Sequence, residues 1–181
     1  YINYTWFIVF SLVVSTLAMN YFPQMGPNYS PLTQWGMAFV TAFILFTSIL
    51  MHELAHSYVA QRQGITIKSI TLFVFGGIAH MLGESRTPRG EMKIAAAGPA
   101  LSLLLSGAFW GIIYLQDQGM PASPLMAVAH FLANTNMILA IFNLIPGFPL
   151  DGGRILRAII WERTGDINKA TLVTSRIGKG F

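Results

Sequence analysis

The sequence predicts an α-helical polytopic membrane protein, with four transmembrane helices and a short membrane-associated β-hairpin or re-entrant segment. Three observations support this fold class. Of the 181 residues, 54% are hydrophobic and only 10% are charged, whereas charged residues make up about a quarter of an ordinary soluble domain. Four apolar segments reach the length of about 20 residues that a helix needs to cross a bilayer. All lysines and arginines fall in or beside two polar regions, a distribution typical of membrane topology.

The predicted transmembrane helices cover residues 4–22, 35–61, 92–115 and 125–145. The loop at 23–34 contains no charge, and the loop at 116–124 contains only Asp117. The 11 Lys and Arg residues lie around the connector between the second and third helices and after the fourth helix. By the positive-inside rule that side is cytoplasmic, and we expect a multi-pass protein of a prokaryotic-type plasma membrane. The net charge of +4 follows from this topology, so the expected environment is the lipid bilayer and no nucleic acid is expected as a partner.

The connector at residues 64–81 predicts β-structure rather than another span. Apolar and polar residues alternate from Ile65 to Lys68, and an aromatic and β-branched run then leads into Gly76-Gly77. This pattern favours short strands, and a short buried helix is the alternative interpretation. Non-helical backbone at membrane depth must be covered by protein or line a water-filled cavity. We expect residues 1–181 to form one transmembrane domain, and a chain that begins with Tyr1 to be a fragment of a longer protein.

The second predicted helix contains, near its cytoplasmic end, the sequence His52-Glu53-Leu-Ala-His56. Two histidines four residues apart lie on one face of a helix, so both rings can reach a single metal ion. Glu53 projects near the same side, where it could handle protons at a metal-bound water. An ionisable group at membrane depth is costly, which makes it a functional candidate. Because the chain has no Cys, a zinc ion here must be held by His, Asp or Glu.

A catalytic zinc site usually has three protein ligands and an open position, so a third ligand is required. Glu84 and Glu91 lie in the polar loop at 82–91, among arginines, where solvated surface charge is the simpler interpretation. Asp151 follows a helix broken by two prolines and precedes two glycines, which could direct its carboxylate towards a neighbouring helix. The alternative for Asp151 is an N-cap of the next helix. Beside the histidine pair, we favour the ligand interpretation.

At this point the chain resembles the site-2 proteases, the intramembrane zinc metalloproteases of regulated intramembrane proteolysis. Four segments carry the resemblance in order: HELAH at 52–56, FGGIA at 75–79, AAAGPALS at 95–102, and the N-x-x-P…LDGG stretch at 143–153. The first motif alone is a modest signal, and the four together in a membrane context are a strong one. The chain looks most like the branch that has no PDZ insertion and often carries C-terminal CBS domains. Since the family commonly has six spans, the resemblance implies further spans, and a regulatory domain or partner, beyond residues 1–181.

The resemblance implies one zinc ion per chain, with His52, His56 and Asp151 as its ligands and Glu53 as the catalytic acid/base. It also implies that Asn143 lies near the substrate, which would be a transmembrane segment of another membrane protein. Asn143 could donate to the developing oxyanion or bind the substrate backbone. A helix–helix hydrogen bond is the alternative for this residue.

A helical substrate must unwind before its peptide bonds can be cleaved, and an extended strand could be held by an exposed strand edge at residues 70–78. We therefore expect substrate-binding roles for four residues of this segment, Thr71, Phe73, Gly76 and Gly77.

Two other functions would also place histidines and carboxylates in a membrane. A zinc transporter or zinc-binding protein should have several ligand clusters along a pathway, near the midplane. A metal-dependent prenyl-protein protease would use a glutamate as third ligand, so that Glu84 or Glu91 would have to reach the helix bundle.

The remaining polar residues of the apolar segments have simpler interpretations. His130 and Asn134 are expected to form interhelical hydrogen bonds or to line a cavity, and His80 to lie at the membrane interface. The small residues Gly98, Ser102 and Ser106 recur every four positions and predict close packing against the helix that carries the histidines.

Overall fold

The computed structural model describes residues 5–25, 29–73, 76–116 and 123–178, with the backbone alone described at 70–73 and 76–81. The helices and strands follow in this order: α1 Thr5–Thr16, a π-helical stretch Leu17–Tyr21, α2 Phe22–Met25, α3 Pro31–Arg62, β1 Thr66–Phe73, β2 Gly76–Leu82, α4 Pro88–Gln116, α5 Pro124–Asn143, α6 Asp151–Thr164 and α7 Ile167–Gly178.

The four predicted spans are confirmed within a few residues at most of their ends. Four helical stretches of the described residues are long and apolar enough to cross a membrane: Thr5–Met25, Pro31–Arg62, Pro88–Gln116 and Pro124–Asn143. Three of them begin at a proline, which suits the first helical position because its missing amide hydrogen would have no partner there. Ser30 and Ser123 cap α3 and α5 by accepting from Thr33 N and Met126 N, an interaction worth about 1 kcal/mol.

The connector between α3 and α4 forms the predicted hairpin, and the alternative of a short helix is wrong. β1 and β2 are antiparallel, in a register that pairs Thr71 with Ile78 and Phe73 with Gly76. A bulge between Ile67 and Ser69 interrupts the pairing. The hairpin packs along α3, which places it beside the helix that carries the histidine pair.

Small buried residues allow α3, α4 and α5 to approach closely. α4 lies between the other two helices, and Ser106 on α4 donates a hydrogen bond to the backbone oxygen of Ala133 on α5. At the other end of α4, Gln63 after α3 donates to the backbone oxygen of Gly90. A side chain at Gly90 would collide with Gln63 and with two hydroxyls, so these side chains would have to move to admit it.

The helices α6 and α7 continue from α5 through an irregular segment, 144–150. Pro146 and Pro149 interrupt the helix there, as the sequence predicts. α6 then packs against α4 and α7 against α6. The close approach of α6 to the segment before it depends on glycine, because a Cβ at Gly152 would collide with the backbone of Leu144 and one at Gly153 with the backbone of Gly147.

Candidate metal centre

Three side chains from two distant parts of the chain meet at one point, near the end of α3. His52 and His56 lie on α3, with His52 about 32 Å along it by the rise of 1.5 Å per residue. Asp151 is the first residue of α6. Each of the three offers one ligand atom, and these atoms all lie within 4.8 Å of one another. Among the described residues, this is the group of His and acidic side chains that can hold a metal ion.

The separations between these atoms fit a tetrahedral zinc ion. Oδ2 of Asp151 lies 3.3 Å from Nε2 of His52 and 3.2 Å from Nε2 of His56. Zinc binds nitrogen and oxygen at about 2.0–2.1 Å, so two ligands of a tetrahedral ion are about 3.3 Å apart. All three residues are buried, with Asp151 the most exposed at 9%. The donor set of two imidazoles and one carboxylate therefore fits a buried, three-ligand site with one free position.

Hydrogen bonds on the far side of each imidazole direct the rings. Nδ1 of His56 lies 2.7 Å from the backbone oxygen of Ile94, and Nδ1 of His52 lies 2.9 Å from Oγ of Ser102. A carbonyl can only accept, so His56 carries its proton on Nδ1 and keeps the lone pair of Nε2 for a metal. Ser102 can hold His52 in the same tautomer. Outer contacts of this kind orient metal ligands and raise their basicity.

Gly98 leaves the space that the two imidazoles fill. A Cβ at this position would collide with Nε2 of both His52 and His56. The sequence predicts close packing of Gly98, Ser102 and Ser106 against the histidine helix. The structure confirms it for Gly98 and Ser102, whereas Ser106 bonds to Ala133 on α5. The same face of α4 supplies both groups that hydrogen-bond to the rings, the carbonyl of Ile94 and the hydroxyl of Ser102.

Asp151 points at the histidines and does not cap α6, so the interpretation as an N-cap is wrong. The cap position is Leu150, and it forms no side-chain cap hydrogen bond. When no cation is bound, protonated rings can donate to the carboxylate. Burial acts to raise the pKa of Asp151, but hydrogen bonds from His52 and His56 outweigh it and lower the pKa to about 2. Asp151 is therefore ionised at neutral pH, as a metal ligand must be.

Glu53 lies next to this group without belonging to it. Its side chain is half-buried and close enough to interact electrostatically with both histidines and with Asp151. It does not join the cluster of candidate ligands. A carboxylate in this position can exchange protons with a reactant at the metal without occupying a coordination site.

The other residues predicted to bind substrate lie at the end of α5 and in the hairpin. Asn143 ends α5, and its Nδ2 donates to the backbone oxygen of Leu139 in the same helix. Thr71 and Phe73 lie on β1, and Gly76 and Gly77 begin β2. The side chains of Thr71, Phe73 and His80 lie outside the described part of the structure.

Two polar residues of α5 differ from the sequence-based expectation. His130 is half-buried and meets Trp110 of α4 edge to face, while Asn134 is exposed. The buried amide of this helix is Asn136, whose Oδ1 has no hydrogen-bond partner among the described residues. Spacing from His130 pointed to the wrong asparagine, since only the packing of α5 determines which of its polar residues faces inward.

The environment predicted for Glu91 from the sequence is also wrong. It was expected to be a solvated surface charge, yet it lies in the first turn of α4, only 2% exposed, and forms an ion pair with Arg157 of α6. Glu84 is exposed, as expected, with 69% of its side chain accessible. The structure thus places neither glutamate at the histidine pair.

Comparison with known proteins identifies the family. A family model described as Peptidase family M50 matches residues 40–122 and 111–180. The chain is 44% identical to a Synechocystis protein named "Putative zinc metalloprotease sll0528", over 100% of this chain and 46% of that protein. It is 39% identical to "Zinc metalloprotease MJ0392" of Methanocaldococcus jannaschii, over 81% of this chain and 41% of that protein. The chain therefore spans about half the length of these curated relatives.

A solved structure agrees with these matches. The structure titled "Site-2 Protease from Methanocaldococcus jannaschii" matches with a TM-score of 0.60 and 35% identity, and the match covers 96% of this chain and 73% of that one. Sequence and fold lead to the same assignment: this chain belongs to peptidase family M50.

Proposed function

We propose that this chain is the catalytic core of a zinc-dependent intramembrane endopeptidase that cleaves transmembrane segments of other membrane proteins, as in regulated intramembrane proteolysis. The observation that carries the proposal is the triangle of His52, His56 and Asp151. Its two Asp151–His edges match a tetrahedral zinc ion, and its two histidines lie on a helix apolar enough to cross a membrane. The names of the relatives, which describe zinc metalloproteases, support the same metal and reaction.

The chemistry divides between the metal and Glu53. A bound zinc ion supplies Lewis acidity towards the scissile carbonyl and the attacking water. Glu53 accepts the proton of that water and passes it to the leaving amine. His52 and His56 would hold the metal through Nε2, because their Nδ1 atoms are engaged by α4. Burial of the three ligands strengthens each of these electrostatic interactions.

The substrate has to be extended near the zinc before it can react. The hairpin packs along the helix that carries the histidines, and its outer strand edge is proposed to pair with an unwound segment. Asn143, at the end of α5, is half-buried and is proposed to bind the substrate backbone or the developing oxyanion.

We place the metal centre near the cytoplasmic face. All Lys and Arg residues of the chain belong to the two regions that flank it, and ion pairs between α4 and α6 gather several of them at this end of the bundle. The positive-inside rule assigns such a side to the cytoplasm. This location also gives water a short path to the site. Further spans, and a regulatory domain or partner outside residues 1–181, are part of the proposal, since the relatives are about twice as long.

The two alternative functions are less well supported. A transporter needs successive ligand groups along a path, and the described residues contain one such group. A prenyl-protein protease would need a glutamate as third ligand, but Glu91 is paired with Arg157 and Glu84 is exposed. Neither carboxylate belongs to the group of candidate ligands.

The test combines metal analysis with cleavage. The purified chain in lipid bilayers should contain one zinc ion per molecule and should cleave a model transmembrane peptide. A chelator should abolish cleavage, and added zinc should restore it. Zinc binding without cleavage of any transmembrane peptide would contradict the protease and leave a zinc-binding protein, whereas no zinc binding would contradict the metal centre itself.

A further inference from the structure

A buried ion pair joins the helix that orients the histidines to the helix that carries Asp151. Nε of Arg157 on α6 lies 2.8 Å from Oε1 of Glu91 on α4, and the Nη2 atom of the same guanidinium contacts that oxygen as well. Glu91 is 2% exposed, and the Arg157 side chain is 12% exposed. Arg154 approaches the same carboxylate to 3.9 Å. The contact between Glu91 and Arg157 is buried. A different ion pair between the same two helices, Arg89 with Glu162, is exposed.

A carboxylate this deeply buried requires its partner. Transfer of an isolated ion from water to a protein interior is so unfavourable that buried charges are paired or neutralised. Two nitrogens of the Arg157 guanidinium contact the same oxygen of Glu91, which restricts the distance between them. The pair therefore limits how far α6 can move away from α4 at this point.

One face of α4 carries the contacts that orient both histidines and an ion pair to the helix of Asp151. Glu91, Ile94, Gly98 and Ser102 follow one another at intervals of three or four residues, which places them on one side of a helix. Ile94 and Ser102 hold the two imidazoles, and Gly98 leaves room for them. Glu91 is the member of this row that contacts α6.

On α6, the anchored residue lies close to the ligand. Arg157 follows Asp151 by six positions, about 9 Å along the helix. At the start of α6, Gly152 and Gly153 lie directly against the backbone of the preceding segment. A helix held at both points has little freedom to move its first residue. A shift of α6 would change the separation of Asp151 from both histidines together.

We propose that Glu91 and Arg157 are positioning residues, which place the carboxylate of Asp151 within bonding distance of a metal held by His52 and His56. The proposal rests on the metal centre of the proposed function, but not on proteolysis. It assigns the pair a role in metal binding through α6, in addition to its contribution to folding.

The experiment measures zinc affinity of the purified chain in lipid bilayers, by competition with a chromophoric chelator, for wild type and Glu91→Gln. Glutamine keeps the shape of the side chain and removes its charge. We expect the dissociation constant for zinc to rise by about 10-fold or more, within the range of about 10–100-fold seen when outer contacts of metal sites are lost. With Co²⁺ as a second probe, the visible absorption of a tetrahedral site should weaken or shift.

Matched variants separate positioning from stability. Arg89 and Glu162 form an exposed ion pair between the same two helices, so Arg89→Ala and Glu162→Gln should leave zinc affinity unchanged. The double variant Glu91→Leu/Arg157→Met replaces the buried pair by apolar side chains, which can preserve folding. Its zinc affinity should still fall, because apolar contacts do not restrict the distance between the two helices as the ion pair does. In an Asp151→Ala background, Glu91→Gln should have no further effect on the residual affinity of the histidines.

The outcomes distinguish this role from the metal centre. If wild type binds zinc and the folded Glu91 variants bind it equally well with an unchanged Co²⁺ spectrum, the pair is structural only and the proposal is wrong. An undiminished effect of Glu91→Gln in the Asp151→Ala background would also overturn it, since the pair would then act through the histidines. If wild type itself binds no zinc, both the metal centre and the positioning role are wrong.

Discussion

His56 and Ile94 are joined by a hydrogen bond of 2.7 Å from the ring Nδ1 to a backbone oxygen in the middle of a helix. Ile94 lies in the turn of α4 that precedes Pro99. In an α-helix the oxygen of Ile94 faces the amide of Gly98, four residues on, and a carbonyl oxygen has a second lone pair for an outside partner such as His56. The backbone of one transmembrane helix thereby sets the tautomer of a candidate metal ligand on another.

The first prediction separates the roles of the base and the ligands. Glu53→Gln should lower cleavage of a transmembrane peptide by about 100-fold or more, the range for loss of a general acid/base, and should retain zinc. His56→Ala and Asp151→Ala should lose activity and should be purified without bound zinc, with only a weak residual affinity left to the remaining ligands. Metal analysis and peptide cleavage on the same samples provide the measurements. Activity of Glu53→Gln near that of wild type would contradict the protease mechanism, and full zinc occupancy in Asp151→Ala would place the third ligand elsewhere.

The second prediction concerns the space beside the imidazoles. Gly98→Ala should reduce zinc affinity by about 10-fold or more, because the new methyl group would collide with the metal-facing nitrogens of both rings. The matched control is Gly107→Ala on the same helix, where a Cβ meets nothing within 4 Å. Both substitutions raise helix propensity by up to about 1 kcal/mol, so thermal unfolding should not account for a difference. Equal zinc titrations of the two variants would show that the rings have room to move.

The third prediction concerns membrane orientation. A cysteine replacing Leu32, which is 85% exposed in the first turn of α3, should react with an impermeant thiol reagent applied to intact cells. One replacing Glu84, whose side chain is 69% exposed, should react only after permeabilisation. The chain has no natural Cys, so labelling reports the introduced residue alone. The reverse pattern would place the metal centre at the external face.

The fourth prediction tests strand pairing with the substrate. Successive amide groups of a strand point to opposite edges, so Thr71 and Phe73 share one direction and Leu72 takes the other. Proline at the positions whose amides face the outer edge should lower turnover, since it removes a donor for the substrate. Proline at the opposite positions should break the pairing with β2 and lower stability instead.

The measurement is the cleavage rate for a helical and a pre-unwound peptide, with zinc content and thermal stability determined for each variant. The helical peptide should be affected more strongly, because strand pairing supplies part of the free energy of unwinding. Undiminished cleavage of both peptides by stable, zinc-loaded Thr71→Pro, Phe73→Pro and Leu72→Pro variants would mean that the hairpin is only structural.

Local sequence determined the spans, the hairpin and the histidine pair. Length and apolarity identify a transmembrane helix because the bilayer excludes unpaired backbone groups, and four-residue spacing places His52 and His56 on one face whatever packs around them. The alternation from Ile65 to Lys68 predicted β-structure because successive side chains of a strand point to opposite faces. The four motifs of the resemblance also predicted the family, because each retains its spacing in this chain.

Tertiary structure decided what the remaining polar residues do. Asp151 lies about 100 positions from the histidines along the chain, and only the packing of α6 on α4 brings it to them instead of leaving it as a helix cap. Glu91 has the sequence context of a surface charge, yet it is buried because α6 supplies Arg157 across the interface. Ser102 and Gly98 gain their roles only when α3 packs against α4. In each case the partner comes from a distant segment, so no local pattern contains it.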